Sequence, residues 1–188
     1  MKKRLLLAVV VLMGFFLLSA SIVWAGTVRL AKTGQTTSYR TGDDGYHQKG
    51  VASPSSRFTD NGDGTVTDNL TGLMWAKNAN LASGTMIWDD AIDYANNLSL
   101  GNAGCSTYYT DWRLPNIKEL RSIVELSCHH PAINLSVFPD LLSSRVVWSG
   151  SPSISDAAWG VAFSTGSTSR YGRSTYHPAQ VWLVRGGQ

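Results

Sequence analysis

Asp111-Trp112-Arg113-Leu114-Pro115-Asn116-Ile117-Lys118-Glu119 is the most informative run in this 188-residue chain. Pro115 is barred from a helix interior but suits its edge, and Asn116 can accept hydrogen bonds from the first free backbone amides. Glu119, three residues on, can reach back to complete a capping box. Ile117, Leu120, Ile123 and Val124 then keep the spacing of one buried face, which predicts a helix over residues 117–126. Loop therefore turns into amphipathic helix at this point, with Trp112 and Arg113 held at the corner. Asp111 and Glu119 form a carboxylate pair on paper, but turn and capping roles account for both. The run defines a piece of fold and names no activity.

At the N-terminus, Lys2, Lys3 and Arg4 precede an apolar run over residues 5–18, and Val23-Trp24-Ala25 supplies small-residue cleavage chemistry before Gly26. This is the layout of a signal peptide over residues 1–25, and the expected destination is the periplasm, cell surface or extracellular space. An uncleaved anchor is the alternative, but the run is shorter than the roughly 20 residues that span a bilayer. Membrane contact is expected only during export.

Export also changes the charge argument. The signal holds three of the 16 basic residues and none of the 13 acids, so the remaining 163 residues balance 13 against 13. The basic isoelectric point of about 9.0 belongs to the signal and implies no nucleic-acid partner. Those 163 residues suffice for one domain with a core.

Cys105 and Cys128 are the two cysteines and flank the helix. In an oxidising compartment an even pair is expected to form a structural disulfide, worth about 3 kcal/mol for a loop of about 23 residues. The pair lacks the Cys-x-x-Cys spacing of a redox site.

Residues 26–56 are rich in Gly, Ser and Thr and read as an irregular lead-in, with a short strand near 27–31. The main domain is expected over residues 57–188. Arg57-Phe58-Thr59 and Thr65-Val66-Thr67 are strand-like and are separated by the dense turn signal Asp60-Asn61-Gly62-Asp63-Gly64. A second turn, Asn69-Leu70-Thr71-Gly72, leads into Leu73-Met74-Trp75. A helix is predicted over residues 87–98, with Trp88, Ala91, Ile92, Ala95 and Leu98 on one face and Asp89 and Asp90 in its first turn. Further strands are predicted at 145–149, 158–163 and 180–185. Strands, two helices and strands again give an α+β class.

Three runs together carry a resemblance: the stretch from Arg57 to Trp75, the stretch from Asp111 to Arg121, and Leu183-Val184-Arg185-Gly186-Gly187. They resemble the Lcl C-terminal domain family, once catalogued as a domain of unknown function and named after a collagen-like bacterial adhesin. Thr33-Gly34-Gln35-Thr36 and Asp43-Asp44-Gly45-Tyr46 are similar to its lead-in. The Arg-Leu-Pro run and the terminal Val-Arg-Gly-Gly also resemble the formylglycine-generating-enzyme branch of the C-type-lectin-like fold. The resemblance implies a C-type-lectin-like α+β domain with antiparallel sheets, two helices and long recognition loops. Where the family often carries a Tyr-Trp-Ser-Ser-Thr-like segment, this chain has Val147-Trp148-Ser149-Gly150-Ser151. Collagen-like repeats are absent, so the adhesin's assembly state does not carry over.

Candidate chemistry is sparse. Asp60, Asp63 and Asp68 offer oxygens for calcium, but their order is not that of an EF-hand and Asn-Gly-Asp-Gly is hairpin-turn chemistry. The Glu-Pro-Asn and Trp-Asn-Asp motifs of calcium-dependent sugar binding do not occur. His129 and His130 are sequence neighbours, a poor arrangement for one metal. The formylglycine-type oxidase needs late cysteines, and none follows Cys128. No nucleophile elbow or phosphate loop stands out. No catalytic residue, metal or cofactor is therefore assigned, and a non-enzymatic protein is expected.

Trp75, Trp88, Trp112 and Trp182 are expected in the core, and Arg113 and Arg185 are expected to pair with buried acids or carbonyls. Residues 164–178 are too polar for core and too aromatic for a plain linker; Tyr, Ser, Gly and Arg together have the composition of loop paratopes. The expected ligand contacts are Arg170, Tyr171, Arg173, Tyr176 and His177, joined by Arg145 and Trp148. Aromatic stacking beside arginine suits anionic or neutral glycans, or a surface protein. Adhesin-like recognition is the expected function, and a structural or accessory subunit of an exported surface assembly is the alternative.

Overall fold

In chain order the elements are helix α1 (Asp44–His47), strands β1 (Phe58–Asp60), β2 (Thr65–Asp68), β3 (Met74–Ala76) and β4 (Thr85–Met86), and helix α2 (Trp88–Asn97). There follow β5 (Leu100–Asn102), β6 (Thr107–Tyr109), helix α3 (Ile117–Ser122), β7 (Val146–Pro152), β8 (Ala157–Ala162), β9 (Ser167–Gly172), β10 (Ala179–Gln180) and β11 (Val184–Arg185). This computed structural model describes residues 30–102, 107–128, 130–142, 144–154, 156–174 and 177–186. It is α+β, as expected, with one sheet ordered β1-β2-β3-β11, a second ordered β4-β10-β7-β8-β9, and the β5-β6 pair.

The expected meander forms through its turn residues. Gly62 and Gly64 take φ of 75° and 84° in the β1–β2 turn, a region that Cβ-bearing residues avoid. Asp60 accepts from the Gly62 amide at 3.0 Å, and Asp63 accepts from the Thr65 amide at 3.0 Å. Both carboxylates are thus engaged in the turn. Asp68 is fully buried and accepts from Arg57, the Leu70 amide and the Thr71 hydroxyl.

Four tryptophans, Trp75, Trp112, Trp148 and Trp182, are buried to 2% exposure or less. Trp182 sits among Trp75, Phe138 and Phe163, with ring centroids at 5.1, 4.8 and 5.8 Å. Trp88, expected in the core, is only half-buried.

The predicted C-terminal strand is two strands. β10 pairs with β4 and β7, whereas β11 pairs with β3, so the buried stretch Val181-Trp182-Leu183 crosses between sheets. The Trp182 indole donates to the Ala76 carbonyl at 2.8 Å during this crossing.

Helix α2 matches its predicted place within one residue at each end. Helix α3 begins as predicted, with the complete Asn116–Glu119 capping box, but stops at Ser122. Four residues earlier than expected, the chain leaves the helix because the Glu125 amide bonds across to the Ala132 carbonyl at 2.9 Å. Ile123 stays buried, so the apolar face outlasts the helix that its spacing implied. Residues 167–172, expected as loop, are strand β9.

The lead-in contains α1 and the parallel bridge between Ala31 and Val51. Asp43 caps α1; hydrogen bonds from the Arg40, Tyr46 and Tyr39 amides lower its carboxyl to about 2. The expected signal peptide lies outside the described residues, among which no helix is long and apolar enough to cross a membrane. Cys128 is a free, exposed thiol. Its expected partner Cys105 lies outside the described residues, as does His129.

Candidate functional site

The signature corner is held by polar contacts. Arg113 makes two hydrogen bonds of 2.7 Å to Glu119, whose other role is to accept from the Asn116 amide at 2.7 Å. Burial pushes the Glu119 carboxyl up, but the Arg113 and Asn116 hydrogen bonds outweigh it and hold the carboxyl below its ordinary value. Hydrogen bonding to Glu119 raises Arg113 in turn. Arg113 also exchanges backbone hydrogen bonds of 3.0 Å with Val184 and donates to the Gly186 carbonyl at 2.9 Å.

Asp111 accepts from Arg185 at 2.7 Å, and that hydrogen bond lowers its carboxyl. Arg185 lies 4.0 Å over the Tyr109 ring. As expected, both arginines pair with acids, although Asp111 is exposed rather than buried. The Gly150 amide donates to the Pro115 carbonyl, and the Ile117 amide donates to the Ser151 hydroxyl. Thus Val147-Trp148-Ser149-Gly150-Ser151 is a bulged stretch of β7 seated against the corner.

The predicted contact residues divide. Arg145, Tyr171 and His177 converge, with Ser144, Val146 and Pro178, on a cleft of about 320 Å³. Tyr171 pairs in register with Ala158 on β8. A Cβ on neighbouring Gly160 would lie 3.2 Å from the Tyr171 ring and 2.8 Å from Val146, so the missing side chain makes room for the tyrosine. Burial lifts the Tyr171 phenol above its ordinary value. Arg145 and His177 are exposed at the rim, and Arg145 has no ion pair among the described residues.

Three expectations need correction. Trp148 is fully buried, with its indole donating to the Met86 carbonyl at 3.0 Å, so it supports the cleft from beneath. Arg170 stands opposite Trp159 in the register, and strand alternation puts it on the other face from Tyr171. Arg173 lies 5.2 Å over Trp88 and 3.8 Å from Asp89, a clamp onto the start of α2. Tyr176 lies outside the described residues.

Ser144, Val146 and Pro178 were missed as lining residues. Adjacency to Arg145 and His177 was the available signal, but β7 and the approach to β10 had first to be placed side by side. The assembled cleft offers an aromatic face, a guanidinium and an imidazole, a set suited to stacking and to pairing with anions.

The corner, the meander and the terminal strand form one contiguous unit, since β11 pairs with β3 and is bridged to Arg113. The sequence model of the Lcl C-terminal domain matches residues 64–185, which take in the corner, the terminal strand and the meander from β2 onward. The chain belongs to the Lcl C-terminal domain family. Within this Lcl C-terminal domain, the matched span also includes Arg145, Tyr171 and His177. Among curated proteins, none matches the chain.

Proposed function

We infer that this Lcl C-terminal domain is an exported, non-enzymatic recognition module whose cleft binds glycans through Tyr171, Arg145 and His177. The observation that carries this reading is the convergence of these three side chains on one cleft, although they come from separate stretches of chain. An aromatic face stacks against a sugar ring, and a guanidinium with no ion pair among the described residues suits a carboxylate or sulfate. Its C-type-lectin-like character is part of the proposal. Support comes from short helices docked beside the strands and from a C-terminal strand returned to β3.

An array of neutral, carboxylated and sulfated glycans, read at low and physiological salt with and without calcium, tests this. Binding to acidic glycans that weakens with salt and ignores calcium is expected, because exposed charges are screened beyond about 8 Å at physiological ionic strength. A flat array together with a stable complex with another surface protein would contradict it and favour an accessory subunit.

A further inference from the structure

A second groove, of about 430 Å³, lies between the lead-in and α3. Its cations are Lys32 from the lead-in and Lys118 and Arg121, one helical turn apart on α3. None of the three has an ion pair or a side-chain hydrogen bond among the described residues. The lining contains no acid; Asp44 reaches the rim only by accepting the Thr33 hydroxyl.

The remaining wall is mainly apolar, with the hydroxyls of Thr33 and Ser122 set into it. Leu30, Val124 and Leu126 line it, and Leu30 and Leu126 are 74% and 53% exposed. Gly166, in the β8–β9 turn at φ 73°, closes one side: a Cβ there would lie 2.8 Å from Val124 and 3.4 Å from Leu126. Apolar side chains beside a cluster of like charges with no ion pair among the described residues leave two demands, one for an anion and one for apolar cover. A polysaccharide satisfies the first and leaves the leucines wet.

We propose that this groove binds a small anionic amphiphile, a carboxylate carrying a short alkyl chain. Its head group pairs with Lys118, Arg121 and Lys32, and its chain lies along Leu30, Val124 and Leu126. The groove volume falls within the range of about 300–1,000 Å³ typical of small-ligand sites. The site shares no lining residue with the Tyr171 cleft, so the two readings stand or fall separately.

The test is a titration of the whole chain with octanoate, 1-octanol and acetate, followed by amide and methyl chemical shifts. Octanoate is expected to saturate with shifts centred on Lys118, Arg121 and Leu126, and the alcohol and acetate to bind about tenfold more weakly or worse. Lys118→Glu with Arg121→Glu should remove octanoate binding, and the milder Lys118→Gln with Arg121→Gln should weaken it if the charge-reversed protein does not fold. Equal binding of octanol, octanoate binding indifferent to either double variant, or self-association that covers the groove without octanoate binding would each overturn the proposal.

Discussion

The ring of Tyr171 stands edge-on to that of Trp148, with centroids 6.3 Å apart and planes at 81°. One ring lines the cleft and the other is fully buried beneath it. This separates two kinds of variant. Trp148→Ala should cost about 3–5 kcal/mol through the cavity it leaves, whereas Tyr171→Ala should remove ligand with a smaller loss of stability. Denaturant melts beside binding curves distinguish them.

Strand alternation gives a sharper prediction for neighbours. Arg170→Ala should leave glycan binding intact while Tyr171→Ala abolishes it, because β9 points them to opposite faces. Equal loss in both would mean that the ligand wraps the sheet edge.

The Arg113–Glu119 pair should make stability depend on acid. The folded Glu119 carboxyl lies below its ordinary 4.5, so its contribution is complete above that pH and is lost as pH falls through the lower folded value. Glu119→Gln should cost about 1–2 kcal/mol at neutral pH, discounted because Arg113 is 36% exposed, and should flatten the acid limb. Thermal melts between pH 3 and 7 read both effects.

Asp68 is the buried counterpart. Asp68→Asn leaves Arg57 facing a neutral amide beside the core and should cost about 3 kcal/mol or more, measured as a loss of denaturation midpoint.

Cys128, as a free exposed thiol, predicts that Cys128→Ser shifts stability by less than about 0.5 kcal/mol. A loss near 3 kcal/mol would instead restore the expected bridge to Cys105. Thiol titration of the unreduced protein gives the same answer independently.

The elements that were legible in the sequence are those with local causes. The Asn116–Glu119 box, the aspartates of the β1–β2 turn and the spacing of α2 each act within a few residues. The end of α3 was not legible, because Glu125 trades helical continuation for a distant bond to Ala132. Nor was the split between β10 and β11, which depends on two sheets waiting on either side of Trp182. β9 hid for a different reason. An edge strand of Ser, Thr, Arg and Tyr has little to bury, so its composition resembles a loop. The site was half visible: residue types singled out Arg145, Tyr171 and His177, but only register removed Arg170, and only burial removed Trp148.

The most direct measurement places wild type and the Arg145→Ala, Tyr171→Ala, His177→Ala triple variant on the same glycan array at physiological salt, with melting temperatures recorded for both. Binding of acidic glycans by the wild type, lost in a triple variant that stays folded with only the small drop in melting temperature expected of Tyr171→Ala, is the predicted result. Undiminished binding by a folded triple variant would contradict the assignment of function to this cleft.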